Sequence, residues 1–161
     1  MSFSIRMFLT ALGLAFAVSV QAEGDYDKAV HVYGCADYPK ALNLFKPLAE
    51  KGDALSQYQV GLMIEQGQGA DASYEAALPW YMKAAEQGVA DAYFALGQLY
   101  NRGLSVPQDA VQAYAWFDLA VRGGHAVAGD WLNMQANRMM PDQIQAARQV
   151  ADEWLKKVGN K

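Results

Sequence analysis

Three side chains in this sequence have the types and spacing of a nucleophilic site. Asp27, His31 and Cys35 stand four residues apart, which places them on one face of a helix. In outline, a carboxylate there orients an imidazole that activates a thiol. The surroundings argue against it. Gly34 is placed to end that helix before Cys35, and the segment offers neither a pocket nor donors for an oxyanion. A metal centre has less to build on, because His31, His125 and Cys35 form no recurrent ligand cluster of the kind zinc requires. Glu50, Asp53, Glu86 and Asp91 fall at expected hairpin joints, where solvated caps are the ordinary role of a carboxylate. Nothing near them raises a pKa as an acid–base pair needs. Ser56 occupies a small interhelical position, Ser73 a helix start and Ser105 a turn, and none sits in a Gly-x-Ser-x-Gly or Ser-x-x-Lys setting. The sequence is read as having no catalytic residue, no cofactor and no metal site.

The chain that must position these groups has 161 residues and a formal net charge of -4. That length suits one domain, and the mild acidity lacks the basic stripe of a nucleic-acid binder. Alanine, leucine, glutamine and tyrosine are abundant while threonine occurs once, at Thr10, a bias toward helix over strand. Residues 1–22 read as a secretory signal: Arg6 supplies a positive start, Met7 to Val20 is uncharged, and Val20-Gln21-Ala22 resembles a small-residue cleavage site. The apolar run is shorter than the roughly 20 residues that span a bilayer comfortably. An uncleaved membrane anchor is the competing reading. No second hydrophobic span follows, so cleavage leaves no membrane span and the protein is expected to be periplasmic or secreted. Cys35 is the only cysteine and closes no internal bridge, so stability must come from packing.

A period of 36 residues organises the remainder. Ala54, Gly61, Gly67, Ala77, Trp80, Ala84 and Gly88 meet Ala90, Gly97, Gly103, Ala113, Trp116, Ala120 and Gly124 without an insertion. The same ruler runs backward through Ala41, Phe45, Ala49 and Gly52, and it aligns Asp37, Ser73 and Asp109 as helix N-caps. Each unit reads as two helices, about 54–66 and 74–87 in the first complete one, split by the Gly67-Gln68-Gly69 turn. Pro79 lies inside the second helix and is expected to bend it. Tyr26, Ala29, Val30 and Tyr33 predict an opening helix over 25–34, and a further unit starts at His125. From Pro141 the pattern changes to an amphipathic helix with Ile144, Ala147, Ala151, Trp154, Leu155 and Val158 on one stripe, suited to capping the array. Residues 23–158 thus form one domain of four hairpins, about 25–52, 53–88, 89–124 and 125–158.

Ala54 to Gly61, the Gly67-Gln68-Gly69 turn and Trp80 to Gly88 resemble one repeat of the Sel1-like repeat family, related to tetratricopeptide repeats. Ala90 to Gly97 with Trp116 to Gly124 resembles a second, departing at Ser105 and at Val121-Arg122-Gly123. Gly34 to Tyr38 with Pro47 to Gly52 is similar to the opening hairpin of bacterial exported members, and Met140 to Ile144 to their terminal helix. The resemblance implies an all-α, right-handed α-solenoid of stacked antiparallel hairpins with a C-terminal capping helix, acting as an adaptor in protein assemblies. It also implies that the first helix of each unit lines a concave binding face. On the ruler, Gln59, Ala95 and Trp131 are equivalent there, as are Leu62, Gln98 and Met134, and Gln66 pairs with Arg102. Trp131 is the anchor of this set as a large aromatic, against the reading that Trp131 and Met134 pack under the helix from Pro141. Trp80, Tyr81, Tyr100, Trp116 and Phe117 suggest carbohydrate stacking by type, but their repeat equivalence assigns them to the core.

The function expected is an exported scaffold binding another protein or a peptide, and not an enzyme. The alternatives are a cell-envelope enzyme acting on peptidoglycan or β-lactams, and a membrane-anchored assembly subunit. Intact-mass measurement of the protein recovered from cells is expected to give an N-terminus at Glu23; retention of residues 1–22 would establish the anchor instead.

Overall fold

The computed structural model describes residues 24–159; the signal segment expected over residues 1–22 lies outside them. Within that range the chain is a succession of helices without a strand. They are α1 (24–34), α2 (Tyr38–Glu50), α3 (Ala54–Glu65), α4 (Tyr74–Ala85), α5 (Ala90–Arg102), α6 (Ala110–Arg122), α7 (Ala128–Ala136) and α8 (Pro141–Gly159). None of them is long and apolar enough to cross a membrane.

The helix starts are fixed by side chains that accept from otherwise unpaired N–H groups. Asp37 accepts from the Lys40 amide, Ser73 from Ala76, and Asp109 from both Val111 and Gln112, so the three caps expected on the 36-residue ruler are in place. Asp53 is a fourth, 2.7 Å from the Ser56 amide. Two prolines, Pro47 and Pro79, lie inside α2 and α4, and both helices run on through them.

Paired helices then pack as antiparallel hairpins, α3 on α4 and α5 on α6, with α2 against α3 and α4 against α5 joining one hairpin to the next. The approach within a hairpin depends on a missing side chain. A Cβ added at Gly61 would stand 2.8 Å from the Tyr81 ring, and one at Gly97 would stand 2.5 Å from the Phe117 ring. Each ring therefore lies flat against helix backbone, which is the reason glycine recurs at this point of the repeat. Beside each ring lies a second one: Tyr58 is 5.9 Å from Tyr81 and Phe94 is 5.7 Å from Phe117, centroid to centroid.

The opening hairpin repeats this contact on a shorter connection. Tyr26 meets Phe45 at 5.6 Å, with the buried Ala29 at the glycine position. Nineteen residues separate Tyr26 from Phe45, where twenty-three separate Tyr58 from Tyr81. So α1 belongs to the array but sits four residues off the ruler.

Burial runs through the stack. Phe45, Val60 and Met63 centre one apolar cluster and Tyr81, Leu96, Leu99 and Leu119 another, and Ile64 packs against both. At the junction of the opening hairpin and the first complete one, the Gln87 amide donates to Gln57 Oε1 and to the Gly52 carbonyl, while Gln57 donates to the Ala49 carbonyl. At the far end α8 lies on α6, with Trp154 edge-on to Trp116 at 4.8 Å. Arg122 bridges Asp118 and Asp152 across the same contact at 2.6 Å to each, which holds its guanidinium pKa above the ordinary value.

The turn at Ser105 explains one departure from the repeat pattern. Ser105 keeps the left-handed backbone of its equivalent Gly69, at φ 59 against 84, a conformation that costs a non-glycine residue about 1–2 kcal/mol.

Placing a methyl group at the ring contact is expected to force the hairpin open. Gly97→Ala should lower stability by about 1–3 kcal/mol, read as a fall in thermal midpoint, whereas Gly129→Ala, with open space around its Cβ position, should leave the midpoint unchanged or higher.

Candidate protein-binding face

The odd-numbered helices each bury part of their surface in the stack and leave part of it uncovered. Their adjacency is marked by side chains that reach from one to the next. The Gln59 amide of α3 hydrogen-bonds the Tyr26 hydroxyl of α1, the Asp91 carboxylate of α5 acts on Tyr58 of α3, and the Phe94 ring of α5 lies 6.1 Å from Trp131 of α7.

On the uncovered side α3 presents Leu55, Gln59, Leu62 and Gln66, α5 presents Asp91, Ala95, Gln98 and Arg102, and α7 presents Val127, Trp131, Met134 and Arg138. Helix α1 adds Asp27 and Val30. The seven residues expected from sequence for this face stand on α3, α5 and α7 or at their ends. Gln66 and Arg102 are exposed, and Gln59, Leu62, Ala95, Gln98 and Trp131 are half-buried. Sequence reasoning missed Leu55, Val127 and Val30. The first two are 72 residues apart on the ruler, with Asp91 between them, and one further helical turn toward the N-terminus would have reached both, whereas Val30 stands at the register of Leu62 once the four-residue shift of α1 is allowed.

Trp131 is not covered in the way anticipated. Its ring packs on Phe94 and on Phe117, 5.8 Å away, while Met134 stays 40% exposed. The terminal helix settles on α6 instead, because Trp116, Leu119 and the Arg122 bridge are there to receive it.

The electrostatics of the face come from burial among carboxylates. Burial pushes the Tyr58 phenol up to about 12, with Asp91 and Glu65 adding to the shift. Tyr26 is raised for the same reason, aided by Asp53, Asp27 and Asp91 and opposed by the Gln59 hydrogen bond. Tyr81 is raised further by burial and by donating its hydroxyl to Glu65 at 2.5 Å. Asp91 Oδ1 also lies 3.4 Å from His125 Nε2, and the imidazole stacks on Phe94 at 4.2 Å. The carboxamide oxygens of Gln59 and Gln98 are buried without a hydrogen-bond partner.

The other candidates are dispersed. Asp27, His31 and Cys35 are exposed, and Cys35 lies in the turn beyond α1, where its backbone amide donates to the His31 carbonyl. No hydrogen bond or ion pair joins the three side chains among the described residues. Ser56 is buried between helices, Ser73 is a cap and Ser105 is in its turn. No group of three or more histidine, cysteine, aspartate or glutamate side chains is gathered for a metal among the described residues. Tyr81, Phe117 and Trp116 are core residues, at 0%, 0% and 6% exposure, and present no face to a sugar ring. A cavity of about 300 Å³ opens between α6 and α8, mostly apolar, with Trp116, Leu119, Val150 and Trp154 in its lining.

Comparison with known proteins follows this geometry. The sequence pattern of the Sel1 repeat matches residues 36–53, 54–89 and 90–125. The crystal structure of a protective antigen present in uropathogenic Escherichia coli strains, displaying an SLR fold, is similar with a TM-score of 0.78 and 30% identity, over 85% of this chain and 30% of that one. The crystal structure of a Sel1 repeat protein from Oxalobacter formigenes is similar with a TM-score of 0.65 and 26% identity, over 79% of this chain and 54% of that one. This chain therefore spans less than two thirds of the length of either protein. Among curated proteins, none matches it.

A buried carboxamide oxygen without a hydrogen bond is a cost to stability. Gln98→Met, which removes one such carboxamide at similar volume, is expected to leave stability unchanged or to raise it by up to about 1 kcal/mol, measured by denaturant midpoint; a loss of more than that would show that Gln98 supports the stack itself.

Proposed function

Because this chain belongs to the Sel1 repeat family, whose members generally mediate protein–protein interaction, we propose that it is an exported scaffold that holds a segment of another protein on the open face of α1, α3, α5 and α7. The single observation that carries the reading is the placement of exposed apolar surface. Among the described residues eight large apolar side chains are more than a third exposed, and four of them, Val30, Leu55, Val127 and Met134, lie on this one face. Apolar groups gathered on the uncovered side of an otherwise packed array mark a surface that is covered by something else. Repeat-to-repeat variation supports the same reading. Positions that meet the hairpin partner repeat, as Gly61 and Gly97 do, whereas the equivalent uncovered positions Leu55, Asp91 and Val127 alternate between aliphatic and charged.

Export rests on the pattern of residues 1–22 and puts the scaffold in the periplasm or outside the cell. The work of such a protein is association, with no bond made or broken.

Leu55→Glu combined with Met134→Glu is expected to keep the thermal midpoint within a few degrees, since both side chains are at the surface. The same pair should abolish co-purification of partner protein from crosslinked cells, and Tyr74→Glu combined with Leu155→Glu, exposed on α4 and α8, should not. Equal loss in both pairs would remove the case for this face. Turnover of a peptidoglycan or β-lactam substrate by the purified protein would replace the scaffold reading with an enzyme.

A further inference from the structure

The open face has an order of charge along its helices that specifies more than apolar cover. At the C-terminal end of α5 and two residues beyond that of α7, Arg102 and Arg138 occupy equivalent positions one repeat apart. Both are exposed, and neither has an acidic partner among the described residues. At the N-terminal end of α5 stands Asp91, shared with His125, while Asp53 is engaged as the cap of α3. Between the charged edges the face mixes apolar and amide side chains: Leu55, Gln59 and Leu62 on α3, the small Ala95 with Gln98 on α5, and Trp131 and Met134 on α7. The middle helix thus carries the smallest side chain of the row, and its two ends are of opposite sign.

Resting on the scaffold reading above, we propose that the occupant of this face is an amphipathic helix of a partner protein, lying antiparallel to α5. Acidic side chains in its first turn pair with Arg102 and Arg138, an apolar side chain lies over the small Ala95, and a basic residue in its last turn meets Asp91. Three features fit. Asp91 and Arg102 are eleven residues apart along α5, about 16 Å of helix rise, so a partner helix of three turns reaches both edges. Helices commonly carry acids in the first turn and bases in the last, complementing their own dipole, and only an antiparallel docking brings that distribution onto these charges. The same direction sets the partner's dipole against that of α5, as the even-numbered helices already do within each hairpin.

The experiment uses the full chain in cells with a photocrosslinking phenylalanine analogue in place of Gln66, exposed beside the arginine edge, and a control analogue in place of Glu75, exposed on α4. Peptide sequencing of the captured segment is expected to show apolar residues at helical spacing with Asp or Glu at its N-terminal end. Capture should fall about tenfold in Arg102→Glu/Arg138→Glu, as loss of two exposed charge pairs predicts, less in Arg102→Gln/Arg138→Gln, and return when the partner's acids are changed to lysine. Helical circular dichroism of each variant checks that the fold persists. Capture at position 66 that ignores the charge reversal, or a segment without helical spacing, overturns the amphipathic helix and leaves the scaffold face standing. Absence of capture at position 66, with or without capture at position 75, removes both.

Discussion

A ring pressed against bare helix backbone is the contact on which this molecule is built. Gly61 under Tyr81 and Gly97 under Phe117 set how near the two helices of a hairpin come. That distance lets Tyr58 and Phe94 close the gap beside each ring, and the next hairpin then packs on the surface so formed. The contact is tuned as a unit. Tyr81 brings a hydroxyl into the core and Glu65 accepts from it, while one repeat later the ring is Phe117 and the residue at the Glu65 position is Asn101. Where the hydroxyl is absent, its carboxylate partner is absent too, as a low-dielectric interior requires of paired polar groups.

Most of the stack was legible in the sequence because these contacts recur. The 36-residue spacing located the hairpins, and the caps at Asp37, Ser73 and Asp109 and the start of α8 at Pro141 followed from helix-end chemistry. Legibility fell off where recurrence did. Helix α1 makes the same ring contact through Tyr26 and Phe45, but its shorter connection shifts it by four residues, and a fixed ruler does not register that. The seat of α8 was also hidden. Trp131 is on α7, the nearer helix in sequence, yet the terminal helix lies on α6, where Trp116 and Arg122 meet Trp154 and Asp152.

The open face was half legible, for a physical reason. Buried positions are answerable to the rest of the chain, so each repeat constrains the next. Uncovered positions answer to whatever lies outside, and a single sequence holds only one side of that agreement. Gln59, Leu62, Gln66, Ala95, Gln98, Arg102 and Trp131 were expected on that face from their places on the ruler, whereas Leu55 and Val127 required knowing how far each helix stays in the open.

The seating of α8 on α6 has a mechanical corollary for the helix it bypasses. Helix α7 has 9 residues, with Ala128 and Gln135 its only buried ones, and no side-chain cap at its start. Since the terminal helix draws its purchase from α6, α7 is expected to open more readily than its neighbours, and its amides should exchange with solvent sooner than those of α5 or α6. On the scaffold reading, the column of Val127, Trp131, Met134 and Arg138 is then the part of the face expected to adjust most to whatever it holds.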